Sequence, residues 1–334
     1  MTGAQPNKLE RRRLGRDGPE ITTVGFGSWA IGGPYLFGWG PVDDEESIAA
    51  LRYAIENGVN WVDTAPIYGL GHSEEIVGEA LRPWTAGEEV LVFTKCGRPW
   101  LEDKGEIGFD LRPDSIRDEC EQSLKRLGVE RIDLYQIHWP DPVTGTQIED
   151  SWQTMVELVE QGKARWIGVS NFDVELLERC ESLRHVESLQ PPLSLIKREA
   201  RRELVPWCRD HSSGVIAYAP LANGLLSGKF NRERINELAA DDWRQRAGHF
   251  TEPKLSQNLA LIERLQRIAE DLGLSLVVLA VSWVLNQPDV TAAAVGSRRS
   301  DQVDGWLPAS GVRLGEDTMR EIERAVEETG AGEE

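Results

Sequence analysis

Residues 47–65 read Ser-Ile-Ala-Ala-Leu-Arg-Tyr-Ala-Ile-Glu-Asn-Gly-Val-Asn-Trp-Val-Asp-Thr-Ala, and this stretch decides the fold. Ile48, Leu51 and Ile55 recur at helical spacing over 47–57, and Gly58 interrupts the helix. Residues 60–64 then form a short apolar run with Asp63 near its end. A helix leading into a buried strand that ends in polar residues is the repeating junction of a β/α protein. The same junction recurs along the chain, with strands expected at 23–27, 60–64, 90–95, 132–138, 165–170, 186–190, 214–219 and 292–296.

Between them, 114–127 places Ile116, Cys120, Leu124 and Leu127 on one face, with Pro113 suited to open the helix and Gly128 to close it. Residues 151–161 run up to Gly162, and 274–287 stop at Pro288. Eight β/α units leave two topologies, a closed barrel or a doubly wound open sheet. Residues 11–20 carry the Gly and Pro punctuation of a hairpin ahead of the first strand. Residues 221–254 lack a clear period and read as a functional loop, and 316–328 form a last amphipathic helix with Met319, Ile322 and Val326 on one side. No Pro-, Gly- or Ser-rich linker divides the chain, so one domain over 1–334 is expected.

Thirty-seven basic against 56 acidic residues give a net charge of −19, which argues against binding a nucleic-acid backbone. The longest apolar stretch, 274–285, is too short to span a bilayer and reads as a buried helix. Residues 1–13 lack the apolar core of a secretory signal. Cys96, Cys120, Cys180 and Cys208 form no C-x-x-C pair, which suits reduced thiols and neither a disulfide scaffold nor a metal site. A cytoplasmic enzyme with a small-molecule substrate is expected, with no nucleic-acid or membrane partner and a homo-oligomer left open.

Gly25-Phe26-Gly27-Ser28-Trp29-Ala30 fits the glycine pattern of a dinucleotide-binding turn. Its context fails, because Gly32-Gly33-Pro34 and Gly38-Trp39-Gly40-Pro41 follow where a helix is needed. None of the five tyrosines has a lysine four residues on, and there is no G-x-S-x-G, Walker A or H-E-x-x-H segment.

Four polar residues stand at or just past strand ends: Asp63, Tyr68 five residues on, Lys95 and His138. Successive parallel strands are neighbours, so the four can converge at one rim of a barrel, where such folds build their active sites. Singly, each has a plainer reading as a solvated rim charge or a structural histidine. Together they suit reduction of a carbonyl. Negative charge grows on oxygen as hydride arrives, and a tyrosine can donate the proton if its phenolate is stabilised. Lys95 would stabilise it, Asp63 would hold the lysine, and a neutral His138 would orient the carbonyl oxygen.

With this spacing, and with the segments 58–65, Gly71-His72-Ser73-Glu74 and Gly168-Val169-Ser170-Asn171-Phe172, the chain closely resembles the aldo-keto reductase family. The match is nearest to the bacterial branch that also resembles the β-subunits of voltage-gated potassium channels. The resemblance implies an α/β fold of the (β/α)₈ TIM barrel type, with an N-terminal β-hairpin before the first strand and an extra C-terminal helix. It also implies NADPH (NADP+) as cofactor and Asp63, Tyr68, Lys95 and His138 as catalytic tetrad. Ser170, Asn171 and Gln190 are then expected to bind the nicotinamide carboxamide, and Tyr218 to stack on the ring. Gly27, Ser28, Trp29 and Asp63 are expected to line the cofactor at the rim. Pro220, Leu221, Gly224, Leu226, Gly228 and Lys229 resemble the loop over the pyrophosphate, and Gly296, Ser297, Arg298 and Gln302 the segment at the 2′-phosphate.

The sequence departs from its relatives after Gln302, where Gly305 and Trp306 leave the adenine contacts open, and after Gln190, where Pro191-Pro192-Leu193-Ser194-Leu195 has leucine where relatives often carry tyrosine. Twelve tryptophans are present, and Trp29, Trp100 and Trp139 follow strand ends, so these three are expected beside Tyr68 and His138 as the substrate wall. The competing expectation is a slow-turnover NADP(H)-sensing module like the channel β-subunits.

Overall fold

The computed structural model describes residues 9–35, 37–84, 90–101, 105–238 and 242–332. The ends of the expected 1–334 domain and part of the expected 221–254 loop therefore lie outside the described residues. The chain starts with an antiparallel hairpin of β1 (Arg11–Arg13) and β2 (Glu20–Thr22). Eight parallel strands follow, namely β3 (Val24–Gly27), β4 (Trp61–Asp63), β5 (Leu91–Cys96), β8 (Ile132–Ile137), β9 (Ala164–Ser170), β10 (Ser188–Gln190), β11 (Gly214–Ala217) and β12 (Ala292–Gly296). They pair in chain order and β12 closes on β3, so the sheet is a closed barrel and the open-sheet alternative is excluded. A short side hairpin, β6 (Trp100–Leu101) with β7 (Glu106–Ile107), interrupts the order after β5 and has no counterpart in the sequence pattern.

Helices fill the crossovers: α1 (Asp44–Glu56), α2 (His72–Leu81), α3 (Pro113–Leu127), α4 (Ile148–Glu160), α5 (Val174–Glu181) and α6 (Leu204–His211). After β11 come the short α7 (Arg232–Asn236), then α8 (Lys254–Asp271) and α9 (Leu276–Leu285). Helix α10 (Ser300–Trp306) follows β12, and α11 (Glu316–Thr329) is the extra C-terminal helix. Pro113 opens α3 and Gly128 closes it in the left-handed conformation. Helix α9 is buried along its whole length, with Ser275 as its N-cap. Among the described residues no single helix is long and apolar enough to cross a membrane. The 18 residues of α8 begin where the aperiodic loop was expected to end.

Period-two alternation explains how the barrel interior is layered. Trp61 and Asp63 share a face of β4, as do Leu91, Phe93 and Lys95 on β5 and Leu134 and Gln136 on β8. The lower layers are apolar, with Trp61 stacked on Phe93 at 5.3 Å and Leu14 and Ile21 of the hairpin region plugging the end. The upper layer is polar, and Lys95, Gln136 and Gln190 all lie within it, buried. Gly25 is glycine for a packing reason, because a Cβ there would stand 2.0 Å from the Trp61 indole. The G-x-G-x-x-A match thus reflects strand–indole contact. Replacing Gly25 by alanine should lower unfolding free energy by roughly 3 kcal/mol through overpacking; a urea midpoint equal to that of the unsubstituted protein would contradict this layering.

Candidate active site

The upper layer converges on Lys95. Its Nζ donates to Asp63 Oδ2 at 2.6 Å, to the Thr64 carbonyl at 2.9 Å and to the Tyr68 hydroxyl at 3.3 Å. Register supplies this meeting, since Asp63 lies opposite Phe93 across β4–β5 and Lys95 opposite Gln136 across β5–β8. The second Asp63 oxygen accepts from Gln190 Nε2 at 2.8 Å and from Gln136 Nε2 at 3.4 Å. The carboxylate therefore ties β4, β5, β8 and β10 together.

Tyr68 is aimed by a tight turn. Gly69, Leu70 and Gly71 are all left-handed, with φ of +67°, +55° and +101°. A Cβ on Gly69 would lie 1.7 Å from the Gly32 carbonyl oxygen, so glycine is obligatory there for both conformation and space. The Ser73 amide donates to the Tyr68 carbonyl as α2 begins, which fixes the turn to the helix.

His138 sits one residue beyond β8, its ring meeting that of Tyr68 edge to face at 5.8 Å. Its Nδ1 is buried and has no hydrogen-bond partner among the described residues. Burial, then the charges of Lys95 and Arg98, hold its pKa well below the usual imidazole range, so the ring is neutral at pH 7. Burial and the Asp63 charge push the Tyr68 phenol well above 10, keeping its proton in place. Burial lowers the Lys95 pKa, while the Asp63 carboxylate opposes that shift.

Beyond β9, Asn171 adopts φ of +61° and its amide donates to the His138 carbonyl at 2.9 Å and to Ser170 Oγ at 3.0 Å. The Tyr218 hydroxyl donates to Asn171 Oδ1 at 2.8 Å. Tyr218 lies just past β11, half-buried, and the carboxamide donor of Gln190 is spent on Asp63. The chain beyond Tyr218 is strained, with positive φ at Ala219, Ala222, Asn223, Gly224 and Gly228. Pro220 and Leu226 are buried there, Leu221 is half-buried and Lys229 is exposed. Gly27 and Gly296 face each other across β3–β12, and a Cβ on either would meet nothing closer than 3.5 Å. Ser28 is buried and bonded to Ser73 at 2.8 Å. Ser297 is buried too, accepting from the Trp306 indole at 2.8 Å. Trp306 is fully buried, so it packs in the core and is unavailable to stack on an adenine. Gln302 Oε1 accepts from the Arg298 amide at 2.8 Å.

The aromatic surround holds the expected Trp29 and two further tryptophans. Trp29 stacks on Tyr68 at 6.3 Å, and on its own neighbours Trp243 at 5.5 Å and, edge-on, Trp39 at 5.3 Å. Trp100 lies on the side hairpin and Trp139 just past His138; each is about two-fifths exposed, at 42% and 40%. Sequence reasoning missed Gln136, although period two from Leu134 points to it. It also missed Trp39 and Trp243, for which spacing along the chain carries no signal. At the opposite end of the barrel, Arg11, Arg13, Trp84 and Trp166 line an open groove of about 760 Å³, far from this cluster.

The neutral ring of His138 has a measurable consequence. Its folded pKa lies below the ordinary 6.5, so as pH falls below that value the unfolded chain takes up the proton first and stability is lost. Urea unfolding from pH 8 to 5 should show this loss set against a gain from Glu119, whose carboxyl burial pushes up to about 8, and beside a further loss from His249, whose pKa burial lowers; His138→Gln should shift the net slope toward gain. An unchanged slope in the variant would contradict a buried neutral imidazole.

The aldo/keto reductase family model matches residues 23–327. Aldo-keto reductase YhdN of Bacillus subtilis is 35% identical over 96% of this chain and 95% of its own length. The NADH-specific methylglyoxal reductase of Escherichia coli is 32% identical over 96% of this chain and 100% of its own. Among solved structures, the glycerol dehydrogenase AKR11B4 from Gluconobacter oxydans superposes with a TM-score of 0.87 at 36% identity, covering 97% of both chains. Barrel, rim cluster and these likenesses agree: the chain belongs to the aldo/keto reductase family.

Proposed function

We propose that this chain reduces aldehydes or ketones to alcohols with NADPH, Tyr68 giving the proton, in the cytoplasm. The observation that carries the proposal is the Tyr68 hydroxyl 3.3 Å from an ammonium that is itself 2.6 Å from a carboxylate, beside a neutral imidazole. Four free, buried cysteines support a reducing compartment.

The residues present fit a nicotinamide dinucleotide. The glycine pair Gly27 and Gly296 keeps side chains out of the barrel mouth where a flat ring would lie, Tyr218 follows the neighbouring strand β11, and the positive-φ turns at 219–228 suit a backbone folding against phosphate oxygens. When bound, the reduced cofactor supplies hydride to the carbonyl carbon. His138 orients the carbonyl oxygen by a hydrogen bond. Tyr68 donates its proton to that oxygen as negative charge develops, and the Lys95 ammonium stabilises the phenolate left behind. Asp63 keeps the ammonium charged and in place, and the two glutamines keep Asp63 in place.

Arg298 supports NADPH, because its fork bonds only to the Trp39 and Pro41 carbonyls and among the described residues no carboxylate pairs with it. A specific observation favours NADH as the second reading. Arg299 is paired with Asp301 at 2.9 Å, which sets a carboxylate near the expected 2′-phosphate, and one relative is NADH-specific.

The test is cofactor oxidation with 4-nitrobenzaldehyde. Tyr68→Phe should lose activity by roughly 10²–10⁴, and equal rates would contradict the mechanism. Tight NADPH binding without turnover on any carbonyl would support the sensing module. Arg298→Ala should reduce kcat/KM for NADPH about tenfold more than for NADH; an unchanged preference would favour the NADH reading.

A further inference from the structure

Trp39 is held from two sides. Its carbonyl accepts from Arg298 Nη1 at 3.1 Å, and the neighbouring Pro41 carbonyl accepts from Arg298 Nη2. Its indole lies edge-on to Trp29 at 5.3 Å and to Trp243 at 5.9 Å, with the Arg244 guanidinium over the ring at 4.7 Å. Since Trp29 stacks on Tyr68, three contacts join Arg298 to the tyrosine: Arg298 to Trp39, Trp39 to Trp29, and Trp29 to Tyr68. The two guanidiniums beside Trp39 differ. Arg244 is paired with Asp242 at 2.6 Å, whereas Arg298 hydrogen-bonds to carbonyls alone; burial and the charges of Arg299 and Arg244 lower its pKa, and the Glu46 charge opposes them without bonding to it. That leaves a guanidinium with no bonded anion.

The indole Nε1 of Trp39 is buried without a hydrogen-bond partner among the described residues, as is that of Trp243. A donor left unpaired costs free energy, which an acceptor reaching the N–H would recover. Gly38 and Gly40 flank Trp39: Gly38 is packed close to the Gly33 carbonyl and donates to the Tyr35 carbonyl at 2.8 Å, whereas Gly40 has φ of +77° with open space where a Cβ would stand, so the room to move lies on the Gly40 side.

We infer that Arg298 determines carbonyl affinity as well as cofactor choice. The inference rests on the NADPH reading above. The fork that holds the Trp39 and Pro41 carbonyls is the same fork a 2′-phosphate takes, and a dianion outcompetes two neutral carbonyls. When Arg298 turns to the phosphate, residues 39–41 are released while Phe37 and Gly38 stay bonded to Trp29 and Tyr35, Trp39 shifts against Trp29, and its indole N–H becomes available to an acceptor on the substrate. The aromatic wall beside Tyr68 then differs between the NADPH and NADH complexes, and so does the affinity for the carbonyl compound.

The test titrates the full chain with 2′,5′-ADP and with AMP, reading affinity by calorimetry and tryptophan emission by fluorescence. The expected result is tighter binding of 2′,5′-ADP accompanied by an emission change that AMP does not produce. Trp39→Phe should remove most of that change while 2′,5′-ADP still binds. In turnover, KM for 4-nitrobenzaldehyde should differ by roughly fivefold between NADPH and NADH, and the two values should converge in Arg298→Lys, which keeps the charge and loses the fork. Preferred binding of 2′,5′-ADP with unchanged emission and equal KM values would overturn the coupling and leave the phosphate site standing. No preference for 2′,5′-ADP over AMP would overturn both.

Discussion

The upper half of the barrel is organised around one buried ion pair, Lys95 with Asp63. Taking an ammonium out of water costs several kcal/mol unless close partners replace the lost hydration. Lys95 has three such partners, and the carboxylate opposite it is itself satisfied by Gln190 and Gln136. The three partners of Lys95 come from β4 and the loop after it, and the glutamines come from β10 and β8, so the pair is satisfied only when these strands and β5 are in this register. A one-residue slip of β5 would turn Lys95 outward and place Thr94 or Cys96 at the barrel axis.

The pair also sets the chemistry that the rim can support. Tyr68 touches the ammonium and keeps its proton because burial and Asp63 disfavour the phenolate; His138 stays neutral because burial and Lys95 disfavour the imidazolium. The result is a protonated phenol and a neutral imidazole side by side near neutral pH, a combination suited to the proposed carbonyl reduction. Backbone strain is gathered in the same place, at the Gly69–Gly71 turn and in the segment after β11. Strain at the rim, with an apolar interior beneath it, fits a scaffold whose lower half stabilises and whose upper half works.

Much of this was legible in the sequence because strands and helices impose periods of two and 3.6. The eight strands, the hairpin at 11–20, the caps of α3 and the C-terminal helix follow from local pattern and punctuation. The ends of the shorter strands do not: β10 starts at Ser188 and β11 stops at Ala217, with single interstrand hydrogen bonds continuing past both, as at Glu187 and Tyr218. The meeting of Asp63, Tyr68, Lys95 and His138 was legible because adjacent parallel strands bring their ends together. The aromatic surround was not, because Trp243 reaches Trp29 through an aperiodic loop more than two hundred residues away. Trp306 shows the reverse case, an aromatic near the expected cofactor segment that the fold places in the core.

The role of the ion pair is tested most directly by the pH dependence of single-turnover carbonyl reduction at saturating cofactor. If Tyr68 donates the proton with Lys95 beside it, activity falls at alkaline pH as the tyrosine ionises. Lys95→Met, which removes the cation and leaves Asp63, should move that fall upward by about one pH unit or more. A fall at the same pH in both proteins would show that Lys95 does not govern the donor, and the central claim would fail.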